Sequence, residues 1–244
     1  MAPERVALFV TCLVDLLYPE VGESAVALLR EAGIEVDFPE AQTCCGQPPF
    51  NSGFHPEARR TARTLLDAFE EAEAVVAPSG SCTAMIRKHY VRLFEGTPDG
   101  ARARALARKT FELSEFLVDV VGMQARGTYP ARVTFHDSCH GLRELGLRGQ
   151  GRALLDGIEG LDLVEMARPE ACCGFGGTFA VRLPEMATTM AEDKLEQARV
   201  TAADVLVTGD AGCLMHLAGR ASRTGRGPRA MHLAVLLAQA RGLR

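Results

Sequence analysis

The chain has 244 residues, 47% hydrophobic and 24% charged, with a formal net charge of -4, and this is enough apolar material for one large α/β domain or two small ones. The near-balanced charge provides no basic field for nucleic acid or an anionic membrane surface, and no run of about 18 apolar residues is present to cross a bilayer. The opening Met1-Ala2-Pro3-Glu4-Arg5 lacks the basic region and apolar stretch of a secretory leader, so a cytoplasmic protein is expected.

Residues 5–11 (RVALFVT) form an apolar run rich in β-formers and read as a strand ending at Cys12. Residues 19–33 carry helical spacing closed by a glycine, 34–38 (IEVDF) alternate as a strand, and Cys44-Cys45-Gly46 follows. Residues 55–72 read as an amphipathic helix and 74–78 (AVVAP) as a buried strand, after which Ser79-Gly80-Ser81-Cys82 leads into a helix ending near 94. The next segment opens on a Pro/Gly turn and closes on RGTYP; it is expected to hold one connecting helix over about 101–121, packed on the sheet.

From residue 132 the same order returns. A strand (RVTFHDS) leads to Cys139, a helix covers 151–160, and a strand over 161–166 precedes Cys172-Cys173-Gly174. A helix over 183–200 and a strand over 204–210 then lead to Gly212-Cys213 and a further helix. Matching cysteines are offset by 127 (12 to 139), 128 (44 to 172, 45 to 173) and 131 (82 to 213) positions, which indicates an internal duplication. The expected organisation is α/β, with two pseudo-symmetric halves at 1–98 and 131–244 joined by a helix and linker at 99–130. Each half is a small parallel sheet flanked by helices.

All eight cysteines belong to the repeat, four per half. Disulfides are rare in a reducing compartment, so this many thiols point to a metal or to redox chemistry. In a parallel sheet, positions that follow strands and precede helices gather at the carboxyl edge, where helix N-termini favour thiolates and anionic groups. Gly46 and Gly174 allow positive φ and close approach of a bound group. Four thiolates suit an iron–sulfur cluster or zinc; the lack of any C-x-x-C pair counts against zinc, and dithiol chemistry is the third option.

The duplicated Cys-Cys-Gly, with APSGSC at 77–82 and GDAGCLMH at 209–216, resembles the tandem CCG cysteine-rich domain family. That family includes the cysteine-rich subunit of heterodisulfide reductase and the iron–sulfur subunits of glycolate oxidase and anaerobic glycerol-3-phosphate dehydrogenase. A short tandem free of ferredoxin-type repeats is most similar to the lactate utilization protein A family. The resemblance implies an iron–sulfur electron-transfer subunit of a complex oxidising L-lactate or a related 2-hydroxy acid. It implies one or two [4Fe-4S] clusters, held by Cys12, Cys44, Cys45 and Cys82 and by Cys139, Cys172, Cys173 and Cys213. LutB-like ferredoxin-type and LutC-like subunits are the implied partners. The fullest family motif ends in C-x-x-C, where this chain has Ser79-x-x-Cys82 and Asp210-x-x-Cys213. This departure weakens the alternative of a heterodisulfide-reductase-like thiol–disulfide reductase and makes Asp210 a candidate oxygen ligand. A zinc-stabilised scaffold is the remaining alternative.

The second half is richer in histidine near its cysteines, with His136, His140 and His216, of which His140 and His216 are candidate additional site residues. His55 and His89 are expected on solvated helix faces, and His232 on an apolar C-terminal helix. GFGGTF fails the G-x-G-x-x-G spacing, and no flavin or nicotinamide site is read from the chain.

Overall fold

The computed structural model describes residues 2–243. In the first half β1 (Arg5–Leu8) lies between β2 (Glu35–Asp37) and β3 (Val75–Ala77), with β4 (Thr110–Glu112) outside β3. In the second half β5 (Thr128–His136), β6 (Glu159–Leu163), β7 (Val205–Thr208) and β8 (Arg229–His232) repeat that order as β6-β5-β7-β8. Every pairing is parallel, so helical crossovers cover both faces, and β3 and β7 are buried throughout. The chain therefore has the expected α/β architecture of two matching halves.

Three local expectations change. The segment expected as one helix over 101–121 is a helix Gly100–Lys109, then β4, then the helical stretches Leu113–Glu115 and Phe116–Val120. The open edge of β3 takes Thr110–Glu112 as its partner, and Glu112 restarts the helix through a capping box with Glu115. In the second half the helix stops at Leu155 and the strand begins at Glu159, earlier than the apolar pattern suggested. His232 ends β8 and caps the final helix Leu233–Ala240 instead of lying within it.

Strand alternation sorts the interior into layers. Val6 and Leu8 of β1, Val133 and Phe135 of β5, and Val205 and Val207 of β7 face one core shared by both halves. Their neighbours Ala7, Phe9, Val75 and Ala77 face an outer cluster that includes Cys45, and Leu206 faces the equivalent cluster around Cys173. The halves also exchange their last helices. Leu233–Ala240 packs on Pro19–Glu31 of the first half, while Phe116–Val120 packs on Gln150–Leu155 of the second. Arg241, its side chain 3% exposed, bonds Glu31 across this seam at 2.7 Å.

His232 joins the halves as a neutral ring. Its Nδ1 accepts from the Ala234 N–H at 3.1 Å, so Nε2 carries the hydrogen that reaches the Pro78 carbonyl at 3.1 Å. Burial pushes its pKa down to about 4. Between the ordinary histidine value and about 4 the unfolded chain binds the extra proton, so stability falls as pH falls through that window, by up to about 3 kcal/mol. Glu112 at the equivalent cap is pushed up to about 7 by burial and slopes the opposite way. The His232 contribution therefore reads as a difference. His232→Asn, which still caps, is expected to be less stable than wild type at pH 7 by about 1 kcal/mol and to match or exceed it near pH 4.5. Parallel urea-stability curves from pH 7 to 4.5 would count against it.

Candidate metal centres

Cys12, Cys44, Cys45 and Cys82 lie after β1, β2 and β3, at the carboxyl edge of the first sheet. Thr11, which is buried, holds φ at +69°, a region β-branched residues avoid, and this turn starts the helix at Cys12. Gly46, with φ +79°, folds the chain back so that its N–H donates to Cys44 Sγ at 3.4 Å. Cys82 sits in the first turn of the helix Gly80–Ala84, whose cap is the Ser79 hydroxyl accepting from the Cys82 N–H at 3.4 Å. Cys12 and Cys44 sulfurs are 3.7 Å apart, and Cys45 and Cys82 sulfurs 3.5 Å.

The second half repeats this arrangement with tighter contacts. Gly174, with φ +90°, donates to Cys172 Sγ at 3.3 Å, and Cys173 and Cys213 sulfurs are 3.2 Å apart. A β-carbon on Gly174 would meet the Ala187 carbonyl oxygen at 2.5 Å, against 3.2 Å from Gly46 to the Ala58 oxygen, so both positions require glycine. All eight cysteines are free thiols, at separations well beyond the roughly 2.05 Å of a disulfide. In each half the hydrogen bonds converge on one sulfur and make it the more acidic thiol. Hydrogen bonds from Cys12 and Cys45, then the Gly46 and Gln47 N–H groups, bring Cys44 down to about 3. Bonds from Cys139 and Cys173 and the Gly174 N–H hold Cys172 far below the usual thiol range. The donors Cys12, Cys45, Cys139 and Cys173 are correspondingly pushed up. A compact set of thiols with one whose surroundings favour ionisation is a donor set that soft metals and iron–sulfur groups fit.

Asp210, a candidate oxygen ligand, is committed elsewhere. Its Oδ1 caps the cysteine-bearing helix Ala211–Thr224 by accepting from the N–H groups of Gly212 (3.0 Å) and Cys213 (3.4 Å). Its Oδ2 crosses to the first half, accepting from the Ser81 N–H at 2.8 Å and the Ser79 hydroxyl at 3.2 Å. The two positions that depart from C-x-x-C are thus the caps of the two cysteine helices, bonded to each other between the centres. His140 and His216 also bond away from the sulfurs. Gln47 reaches His140 Nε2 at 3.3 Å, and His216 Nε2 faces the Ala187 carbonyl at 3.1 Å. His55 is exposed as expected; His89 is half-buried instead, 3.0 Å from Glu144 and against Phe50.

The second half covers the cysteines of the first. A cavity of about 130 Å³ over the first-half cysteines is roofed by Phe175, Gly177, Ala211 and Gly212 of the second half. Ser52 and Thr178 hydroxyls tie the two halves at 2.9 Å. Two further residues distinguish the second centre. His136, fully buried, lies with Cys173 and Cys213 in a group whose donor atoms fall within 4.8 Å of one another. Lys194, also fully buried, donates to the Arg168 carbonyl at 2.5 Å and the Pro169 carbonyl at 3.3 Å, and burial lowers its pKa. Aligning the halves would have flagged both, since His136 stands opposite Phe9 and Lys194 opposite a leucine, Leu65 in the register of the buried helix faces.

The cysteine-rich CCG domain model matches twice, at residues 6–87 and 133–218. Lactate utilization protein A of Geobacillus kaustophilus is 46% identical over 235 residues, covering 96% of this chain and 98% of that protein. The same-named protein of Oceanobacillus iheyensis is 44% identical over 96% of each chain, and lactate utilization protein A 2 of Bacillus cereus (strain Q1) is 42% identical over 237 residues. A crystal structure of a hypothetical protein from Helicobacter pylori shares the fold, with a TM-score of 0.69 at 10% identity; this chain is 99% covered and spans 50% of that one. Among the described residues no helix is long and apolar enough to cross a membrane.

Proposed function

Because this chain belongs to the tandem cysteine-rich CCG domain family, and within it to the lactate utilization protein A family, we propose that it is an iron–sulfur electron-transfer subunit of a complex that oxidises L-lactate to pyruvate, or a related 2-hydroxy acid such as glycolate. The observation that carries this reading is the gathering of all eight cysteines, as free thiols, into two quartets at equivalent sheet edges. Cys12, Cys44, Cys45 and Cys82 would hold one [4Fe-4S] cluster, and Cys139, Cys172, Cys173 and Cys213 another. Such clusters, when bound, supply one-electron transfer. The chain's residues set the conditions for it. Gly46 and Gly174 stabilise negative sulfur with backbone N–H groups, and Ser79 and Asp210 orient the helices that present Cys82 and Cys213.

Exposed Leu16 and Phe38 line a pocket with Cys12 and Cys44 and support a partner docked there, with LutB-like ferredoxin-type and LutC-like subunits as the partners that the family reading supplies. A reducing, cytoplasmic setting fits eight free thiols. In the thiol–disulfide alternative Cys172 and Cys173 act as a pair, and while Cys172 is half-buried, Cys173 is 2% exposed and poorly placed to meet a bulky disulfide.

Anaerobic reconstitution with iron and sulfide tests the reading. It should load about four or eight irons with equal acid-labile sulfide. L-Lactate should bleach the visible band only when the partner subunits are present. Stoichiometric zinc without sulfide would overturn the proposal in favour of a scaffold.

A further inference from the structure

The duplication places two centres in equivalent frames, and one buried side chain breaks the equivalence. Phe9 and His136 follow the same strand position, 127 residues apart, on the face that carries Cys45 in one half and Cys173 in the other. Phe9 packs there as an apolar ring. His136 cannot do so at no cost, because its ring brings two nitrogens into a site with no water access. Its Nδ1 lies 3.2 Å from the Pro169 carbonyl, and a carbonyl only accepts, so Nδ1 holds the hydrogen and Nε2 holds the lone pair. That Nε2 is buried and has no hydrogen-bond partner among the described residues. His136 belongs to the group in which one ring nitrogen and the Cys173 and Cys213 sulfurs lie within 4.8 Å of one another. A backbone carbonyl holding one imidazole nitrogen while the other faces soft donors is the arrangement of a metal-ligating histidine. The same Pro169 carbonyl is held from its other sides by Lys194 Nζ and by the Asp137 N–H, which fixes the ring's orientation.

We propose that His136 Nε2 is a ligand of the group bound in the second half, so that the duplicated centres differ in donor chemistry, all thiolate in the first and thiolate plus imidazole in the second. The inference rests on the reading that the quartets bind iron–sulfur groups. Five donors exceed four iron sites, so the imidazole takes the place of one of the four thiolates at iron, and this exchange removes negative charge from the ligand set and raises the reduction potential. The second centre is therefore the electron sink of the pair. The set holds one donor more than four iron sites need, so a variant lacking His136 can keep its metal on the four thiolates.

The test uses the full chain, reconstituted anaerobically with iron and sulfide and reduced with dithionite, with iron and sulfide assayed on every sample. Pulsed electron paramagnetic resonance should detect nitrogen coupled to the cluster spin, and the coupling should change to the 15N pattern when histidine alone is 15N-labelled. His136→Phe, which copies Phe9, should keep its iron and sulfide, lose that coupling and lower the higher of the two midpoint potentials. Loaded wild-type protein without histidine nitrogen coupling, or coupling that survives His136→Phe, would overturn the proposal. Should His136→Phe misfold, the isotope shift in the wild-type chain decides. Wild-type protein that takes up neither iron nor sulfide would remove the iron–sulfur reading itself, and this inference with it.

Discussion

Asp210→Ala is expected to destabilise the reduced, metal-free chain by about 3–5 kcal/mol, more than any comparable surface change. The carboxylate is 3% exposed and accepts four hydrogen bonds, two within its own helix and two from the other half. Alanine leaves the N–H groups of Ser81, Gly212 and Cys213 without that acceptor in a buried place. Each such orphan costs about 1–3 kcal/mol where water cannot enter. Asp210→Asn separates the two roles. Its oxygen can still cap the helix, but its amide then turns a donor toward the Ser81 N–H, so a loss of about 2 kcal/mol is expected. Ser79→Ala removes one hydroxyl at the equivalent cap and should cost about 1 kcal/mol. Urea unfolding under anaerobic, reducing conditions measures all three. An Asp210→Ala loss below about 1 kcal/mol would mean that the bridge between the halves is not structural.

That bridge also marks the limit of what the sequence makes legible. Eight cysteines repeating at near-constant offsets announce the duplication and both quartets, because cysteine is rare and no other pressure spaces it so. Buried apolar runs announce β1, β3, β5 and β7, whose side chains meet protein on both faces. The edge strands β4 and β8 are short, and both run directly into a helix with no intervening turn residue, so a helical period passes over them unmarked. Ser79 and Asp210 stand where the fuller motif has cysteine, which draws attention to a missing ligand and away from a plainer property. Both are among the best helix-capping residues, each three positions before a cysteine. Their contact with each other depends on how two half-chains pack, which no local pattern encodes.

Lys194→Leu should stabilise the metal-free chain, by about 1–4 kcal/mol, while impairing the loaded one. Lys194 is fully buried on the helix Pro184–Val200, at the position where the first half has the fully buried Leu65. Among the described residues its ammonium meets no carboxylate at bonding distance and bonds to the Arg168 and Pro169 carbonyls, with Met166 sulfur at 3.6 Å. Those carbonyls are not orphaned by leucine, since Arg168 oxygen retains the Ala171 N–H and Pro169 oxygen retains the Asp137 N–H and His136. Leucine therefore removes a desolvated charge at little hydrogen-bonding cost. The sign with pH follows from the lowered pKa. Below the folded value the unfolded chain gains most from solvating the ammonium, so the advantage of leucine is full there and fades as pH rises toward the ordinary lysine range. The field of this buried cation acts on the second-half cysteines: it draws the Cys213 thiol down against the burial that raises it, and Cys173 in turn favours the charged lysine. With iron and sulfide bound, Lys194→Leu should lower the midpoint potential of the second centre and leave the first unchanged. Equal potentials in the two proteins, or a less stable metal-free variant, would show that the lysine serves only to fasten the 168–169 turn.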